Sequence, residues 1–233
     1  EESRSFQRDE VRHHVIPAYM ALVKQIDDHL GRLIQFLEVQ GRLEDTMIVL
    51  TSDHGDYLGD HWLGEKELFY EASVRVPMLV YDPDPAANAT RGTTDERLVE
   101  ALDLLPTFLD TLGADLHPHR LEGRSLLPLL RPGDTTVSWR EAAFSELDYA
   151  FRPARLALGL ASHEARAFMV RTAAWKYIHY EHFRPQLFDL NADPDEFHDL
   201  GDSPVHAGVR AVLHERLFTW LRTRRIRTTL ADL

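Results

Sequence analysis

The feature that most constrains this chain is a short apolar run followed closely by side chains that bind metals. Residues 47–50 read Met-Ile-Val-Leu, and Asp53 and His54 follow this run after two intervening residues. Such a run predicts a buried strand, and loops beyond the carboxyl ends of parallel strands often bind ligands. A carboxylate and an imidazole suit Mg, Mn, Ca or Zn. The pattern therefore predicts two ligands of a divalent metal site at the edge of a parallel sheet. A turn in which Asp53 accepts backbone hydrogen bonds and His54 packs nearby is the alternative.

Hydrophobic spacing separates a mixed first part of the chain from a strand-rich second part. Apolar residues at three- and four-residue steps predict a helix over 8–40, started or kinked by Pro17 and capped by Gly41. The remaining expected elements are strands at 46–51 and 75–81, a helix at 98–112, a short turn or helix at 125–130, strands at 141–147, 168–171, 175–180 and 186–190, and a closing helix at 205–225. Residues 175–180 alternate in part, as in an antiparallel strand with one covered face. We therefore predict domains over 1–135 and 136–233.

The composition is that of an ordinary globular protein, and it argues against some functions. The 233 residues, 44% of them hydrophobic and 27% charged, can form one large domain or a domain with a subdomain. A net charge of −12 opposes nonspecific nucleic-acid binding, although a metal and one lysine can still attract a small anion. No apolar run approaches the ~20 residues that cross a bilayer, so no membrane partner is expected. The absence of Cys excludes disulfides and leaves the compartment open, with the cytoplasm favoured.

Several short motifs follow the predicted metal ligands in a fixed order. They are Ser-Asp-His-Gly at 52–55, Leu-Gly-Asp-His at 58–61, Gly-x-Lys at 64–66, Tyr-Glu at 70–71 and Arg-Val-Pro at 75–77. With residues 183–190 and 193–196, this series resembles the sulfatase branch of the alkaline phosphatase superfamily. The residues at 183–190 and the Arg-rich ending at 222–229 are most similar to the phosphonate monoester hydrolases. The resemblance covers nearly all of this chain but only the C-terminal portion of the family.

The resemblance implies both a fold and a set of site residues. The fold is α/β, an alkaline-phosphatase-like mixed sheet with flanking helices, followed by a smaller C-terminal antiparallel β subdomain with a packed helix. Asp53 and His54 match family metal ligands, and Lys66 matches a catalytic lysine that contacts the substrate's anionic oxygens. His61 matches a family feature on the substrate side. Its role stays open between protonating a leaving group, orienting a ligand and capping the loop.

The implied function is hydrolysis of phosphonate, phosphate or sulfate esters with a divalent metal. The family nucleophile is a formylglycine hydrate made from a Cys, or a Ser, in a Cys/Ser-x-Pro-x-Arg motif, and this chain has none. We therefore expect formylglycine outside this chain, and we expect the chain alone to be an inactive part of a longer enzyme. The expected partners are a small anionic ester and, for the full-length form, further copies of the same chain. A noncatalytic sulfatase-like module for binding or assembly is the alternative.

Other charged clusters are expected to have structural roles. Adjacent residues on a helix diverge by about 100°, so the pair at 13–14 is unsuited to grip one ion. His179 and His182 are likewise expected at the surface or in packing. Arg222, together with the arginines at 224, 225 and 227, forms a basic ending that is typical of a helix C-terminus. Docking onto an acidic surface of a partner subunit is the alternative for this ending.

Overall fold

The computed structural model describes residues 2–116, 120–133 and 137–223, and the chain divides into two compact units. The first unit comprises Glu1–Thr93 and Leu130–Gly133, and the second comprises Thr94–Leu129 and Asp134–Leu233. The two units interleave along the sequence. The domain division at 135 remains a prediction for the whole protein. In the described residues, no helix combines the length and apolarity needed to cross a bilayer.

The first unit begins with the long helix α1 (Asp9–Val39), which ends as the sequence predicts. Gly41 adopts a left-handed φ of 64° and its N–H donates to the Glu38 carbonyl, while the Arg42 N–H donates to the Leu37 carbonyl. These two bonds form a Schellman cap, which needs a residue with positive φ at this position. Of the two predicted effects of Pro17, the helix start is wrong, because the helix begins at Asp9 and Pro17 lies in its interior, and the kink stays a prediction. Proline removes only one backbone donor, and the long helix continues across it.

Two short strands and a one-turn helix follow and carry the motif region. Strand β1 (Ile48–Thr51) pairs with strand β2 (Met78–Tyr81), and helix α2 (Glu71–Val74) lies between them in sequence. The pairing is antiparallel, with Thr51 opposite Met78, so the expected parallel neighbour is not found among the described residues. A parallel pair needs a long crossover connection, usually helical. Here the connection contains only the four-residue α2 as its α-helix, and the chain returns in the opposite direction.

Helix α1 leaves much of its apolar face uncovered. No residue of the helix is fully buried, and Met20, Leu22, Ile26 and Phe36 are exposed. Apolar side chains repeated along one helix normally face a core. The face is therefore available to further protein that packs against the first unit.

The end of β2 is held by a buried ion pair within the first unit. The Asp82 carboxylate is buried and accepts from both Nε and Nη2 of Arg131, at 2.7 and 2.9 Å. Arg131 also reaches Asp84 at 3.0 Å, and the Asp84 N–H donates to Asp82. Desolvation acts to raise the pKa of Asp82, but the Arg131 fork and the Asp84 N–H outweigh it and lower the pKa below its ordinary value. The carboxylate is thus stabilised in its ionised form.

This ion pair makes stability depend on acid pH. A carboxylate with a lowered folded pKa contributes stability above its unfolded pKa of about 3.9, and the contribution disappears as pH falls through the folded value. We expect Tm to fall below about pH 4, because unfolded Asp82 then binds a proton that the folded protein takes up only at lower pH. Asp82→Asn should lower Tm at pH 7 and flatten this acid dependence, as thermal unfolding between pH 2 and 7 would show. Asp84→Asn, at a more exposed carboxylate, is the control and should change Tm less. Identical acid profiles for wild type and Asp82→Asn would contradict this assignment.

The second unit joins short helices to an antiparallel sheet. The predicted helix at 98–112 is shorter than expected, since α3 spans Leu104–Thr111 after a 3-10 turn at Ala101–Asp103. Its start is held by the Asp103 carboxylate, which accepts the Glu100 N–H at 2.8 Å. The other elements are α4 (Leu127–Leu130), β3 (Ala142–Asp148), α5 (Pro153–Ala157), β4 (Arg166–Thr172), β5 (Trp175–Tyr180), β6 (Gln186–Asp189) and α6 (Ala207–Thr223). The sheet order is β3-β4-β5-β6, and every neighbouring pair is antiparallel.

The sheet buries both of its faces at the central strands. Val170, Tyr177 and Leu187 align across β4, β5 and β6 and pack with Leu213 and Leu217 of α6. The prediction of one covered face for β5 is wrong, because Lys176 on the opposite face is also completely buried. The reason is a carboxylate partner, Glu196, which follows β6 in the chain.

The buried lysine of β5 forms an ion pair inside the second unit. Lys176 Nζ lies 2.6 Å from Oε1 of Glu196, and both side chains are almost completely inaccessible to solvent. Glu196 adopts a positive φ of 59°, an uncommon conformation for a residue with a side chain. The loop after β6 therefore brings a carboxylate under the face that the sequence pattern assigned to solvent.

Candidate metal and anion site

The predicted metal ligands meet directly after β1. Asp53 Oδ2 lies 3.4 Å from His54 Nε2, so the two side chains share one side of the loop. Asp53 Oδ1 accepts the His54 N–H at 3.0 Å, and the Ser52 hydroxyl donates to the His54 carbonyl at 2.8 Å. These local bonds hold the backbone in a turn that points both side chains in the same direction. The carboxylate is exposed and the imidazole is half-buried.

The hydrogen bonds of His54 decide which ring nitrogen can bind a metal. Nδ1 lies 2.8 Å from the Gly55 carbonyl, which only accepts, so Nδ1 carries the proton. Nε2 is then the acceptor nitrogen, and it lies 3.4 Å from Asp53 Oδ2 and 3.0 Å from the donor Nζ of Lys66. Histidines that bind metals usually donate their other N–H to a carbonyl or carboxylate in this way. The donor set therefore fits a divalent cation, with one neutral imidazole nitrogen and one carboxylate oxygen.

The charge state of Asp53 also suits a cation. Partial desolvation acts to raise the pKa of Asp53, but backbone N–H donors and the nearby side chains of His54 and Lys66 outweigh it, so the pKa lies below its ordinary value. The carboxylate is thus ionised at neutral pH. Two ligands still do not complete a site. Across 2–116, 120–133 and 137–223, no group of three or more His, Asp or Glu side chains could hold an ion.

The structure brings the predicted anion-binding lysine to the same place. Lys66 lies thirteen residues after Asp53, and its Nζ is 3.0 Å from His54 Nε2. The lysine side chain is exposed, and its neighbour Glu65 adopts a left-handed φ of 60°. A carboxylate, an imidazole and an ammonium group therefore converge at one solvent-facing point. A metal and a fixed cation at this point can bind two oxygens of one tetrahedral anion.

His61 lies in the same loop but in a different local arrangement. Its ring stacks on Tyr70 with centroids 4.0 Å apart and an interplanar angle of 17°. Its φ of 52° is one of five positive non-glycine φ angles in the loop, at Leu58, His61, Trp62, Glu65 and Leu68. Such backbone conformations are costly and tend to cluster at functional sites. The stack orients the imidazole, and a substrate-side role for His61 stays a prediction.

Gly55 permits a close approach of the chain behind Asp53 and His54. Its N–H donates to the Ser73 carbonyl at 2.7 Å, and an added Cβ would lie 1.9 Å from the Ala72 carbonyl oxygen. No side chain fits there unless α2 moves. The residue after His54 must therefore be glycine for this loop to close against α2.

We expect Gly55→Ala to lower stability and to displace His54, because backbone atoms cannot yield as a flexible side chain can. Gly31→Ala on α1 is a matched control, since an added Cβ there meets no atom within 4 Å. Alanine in place of a mid-helix glycine should stabilise the protein by roughly 0.5–1 kcal/mol. Thermal unfolding of both variants would test this, and equal Tm shifts of the same sign would contradict it.

Two buried polar residues of the site were missed by sequence reasoning. Tyr57 and Ser73 are 1% and 3% exposed, and both bond to the backbone around Lys66. Tyr57 looks like an ordinary core aromatic residue in the sequence, and Ser73 looks like a surface residue of a short helix. The one sequence feature that could have pointed to Ser73 is its position between the Tyr-Glu and Arg-Val-Pro motifs.

The remaining histidines and the basic ending have separate contacts. His179 packs edge-on against His214 and Phe218, whereas His182 Nε2 lies 3.0 Å from Glu164. These contacts agree with the predicted packing and surface roles. Arg222 pairs with Glu215 of the same helix, and the arginines at 224, 225 and 227 lie outside the described residues.

Comparison with protein families finds two overlapping matches. The family model described as N-sulphoglucosamine sulphohydrolase, C-terminal, matches residues 59–223. The family model described as Sulfatase matches residues 1–114, which include Asp53, His54 and Lys66. Together they cover the chain from its first residue to the end of α6.

Known proteins with similar sequences and structures include both sulfatases and phosphonate hydrolases. The multifunctional alkaline phosphatase superfamily protein PehA of Trinickia caryophylli is 33% identical over 87% of this chain and 39% of its own length. An N-acetylglucosamine-6-O-sulfatase of Bacteroides thetaiotaomicron is 35% identical over 78% of this chain and 31% of its own. The crystal structure of the phosphonate monoester hydrolase of Agrobacterium radiobacter aligns with a TM-score of 0.80 and 36% identity, over 90% of this chain and 41% of that one. The chain thus spans about two fifths or less of the length of these relatives.

Proposed function

Because this chain belongs to the sulfatase branch of the alkaline phosphatase superfamily, we propose that it is the C-terminal portion of a metal-dependent hydrolase of phosphonate, phosphate or sulfate esters. The observation that carries the proposal is the convergence of Asp53, His54 and Lys66 after β1. Similar proteins named as sulfatases and as phosphonate monoester hydrolases support both substrate classes.

The proposal that the chain is part of a longer enzyme has two structural supports. The site contains two suitable ligands in the described residues, fewer than a complete divalent metal centre uses. The apolar face of α1 is exposed although such faces normally pack against other protein. The relatives extend well beyond the matched region, which is consistent with further protein at the metal site and against the exposed face of α1.

The three side chains divide the work of binding a tetrahedral ester. Asp53 and His54 would hold a divalent cation through Oδ2 and Nε2. When bound, the metal supplies Lewis-acid neutralisation of charge on a substrate oxygen. Lys66 adds a fixed positive charge for the other oxygens, and this charge matters most as the P–O or S–O bond breaks. A lysine suits this task because its ammonium is a compact point charge.

The experiment uses the full-length protein that contains this chain. Asp53→Ala and His54→Ala should each weaken Mn²⁺ binding at least about 10-fold in calorimetry, since even outer-sphere changes cost this much. They should also abolish hydrolysis of 4-nitrophenyl phenylphosphonate and 4-nitrophenyl sulfate. Asp45→Ala, at an exposed aspartate paired with Arg42 before β1, is the matched control and should change neither. We expect the 233-residue chain alone to turn over neither ester.

Two results would count against the proposal. Turnover of either ester by the purified 233-residue chain would mean that the nucleophile has been misplaced. Mn²⁺ binding without turnover of either ester by the full-length protein would favour the noncatalytic module.

A further inference from the structure

Tyr57 holds the backbone on both sides of Lys66. Its N–H donates to the Glu65 carbonyl at 2.9 Å, and its phenol hydroxyl donates to the Glu67 carbonyl at 2.6 Å. The ring is 1% exposed, so these bonds form away from competing water. One buried residue thus binds the backbone carbonyls of the residues before and after the lysine.

Ser73 links the backbone of Lys66 to the backbone next to His54. Its hydroxyl donates to the Lys66 carbonyl at 2.5 Å, and its own carbonyl accepts the Gly55 N–H at 2.7 Å. Gly55 directly follows His54, so Ser73 contacts the backbone next to the imidazole and the backbone of the lysine itself. The side chain is 3% exposed, and its position in α2 limits its movement.

The backbone at 65–68, which carries Lys66, needs contacts from other segments to hold its conformation. Glu65 and Leu68 adopt φ angles of 60° and 76°, which are unfavourable for residues with side chains. Strained conformations persist only when surrounding contacts hold them in place. The lysine side chain adds four flexible carbon–carbon bonds beyond this backbone. A small displacement of the backbone at Lys66 therefore becomes a larger displacement of Nζ.

We propose that Tyr57 and Ser73 are positioning residues that act through Lys66, setting its distance from the Asp53–His54 pair. The inference rests on the proposed function, since it assigns them to the same site. Small displacements of a group that contacts substrate can cost up to about 10²-fold in rate. Loss of either hydroxyl should therefore lower kcat/KM by about 10-fold while leaving the metal ligands in place.

The test is a double-mutant cycle in the full-length protein, with 4-nitrophenyl phenylphosphonate as substrate. Tyr57→Phe and Ser73→Ala are each measured with Lys66 present and with Lys66→Ala. We expect a loss of about 10-fold in kcat/KM with Lys66 and less than about 2-fold without it, because coupled residues are not additive. Mn²⁺ affinity, measured by calorimetry, should stay at the wild-type value in both single variants.

A matched control separates positioning from general loss of stability. Thr107→Val removes a fully buried hydroxyl of the second unit that donates to the Asp103 carbonyl and accepts the Leu126 N–H. It should lower Tm without changing kcat/KM. Ser73→Ala also tests the proposal independently if Tyr57→Phe does not fold.

The outcomes distinguish this inference from the proposed function. Equal losses in kcat/KM with and without Lys66 would overturn the positioning role and leave the proposed function intact. Weakened Mn²⁺ binding in Tyr57→Phe and Ser73→Ala would also overturn it, since the residues would then act on the metal ligands. Wild-type activity of Lys66→Ala would overturn the inference and remove Lys66 from the site, whereas absence of ester turnover by the wild-type full-length protein would overturn the proposed function.

Discussion

Lys66→Ala in the full-length enzyme is expected to lower kcat/KM by about 10²–10³-fold, the effect of removing one preorganised contact to developing charge. The reason is geometric, because Nζ lies 3.0 Å from His54 Nε2, the nitrogen that would hold the metal. Water that replaces the ammonium must reorganise during the reaction and stabilises the charge poorly. Lys66→Arg should not restore the rate fully, since a planar guanidinium does not reproduce a compact ammonium.

The measurement is steady-state kinetics with a phosphonate monoester and an aryl sulfate. Lys24→Ala is the matched control, since Lys24 is exposed on α1 and pairs with Asp28 far along the chain from the loop. Its kcat/KM should equal the wild-type value. Near wild-type kcat/KM for Lys66→Ala on both substrates would remove Lys66 from the active site and leave it an ordinary loop lysine.

Lys176→Met is expected to lower the free energy of unfolding by about 3–5 kcal/mol, the usual effect of breaking a buried ion pair. Lys176 and Glu196 are both buried, with 2.6 Å between Nζ and Oε1, so methionine leaves a buried carboxylate without its cation. Replacing both partners by apolar residues removes that penalty. Lys176→Met combined with Glu196→Leu should therefore recover much of the loss.

Urea denaturation of the full-length protein, followed at the second unit, would measure these changes. The control is Arg216→Met, which breaks an exposed pair with Glu141 in the same unit and should cost at most about 1 kcal/mol. A loss below about 1 kcal/mol for Lys176→Met would show that the lysine reaches solvent.

Features that depend on near neighbours in the chain can be predicted from the residues alone. The spacing of apolar residues predicted α1, β1 and β5 to within a few residues, because periodicity reflects which face of a single element is buried. Asp53 and His54 are adjacent, and local bonds to the Asp53 carboxylate and the Gly55 carbonyl orient them. The convergence of Asp53 and His54 is therefore a local property that their positions after β1 anticipate.

Features that depend on distant segments are visible only in the folded chain. The antiparallel pairing of β1 with β2 follows from the path of the chain between them, which no strand pattern contains. Lys176 has the pattern of a solvent-facing residue, yet Glu196 from a later loop buries and neutralises it. Likewise, the hydroxyls of Ser73 and Tyr57 donate to backbone carbonyls. Every residue has a backbone carbonyl, so no residue type in the sequence marks these partners. Side-chain periodicity records burial within one element, whereas the partner of a buried polar group is selected only when the chain folds back.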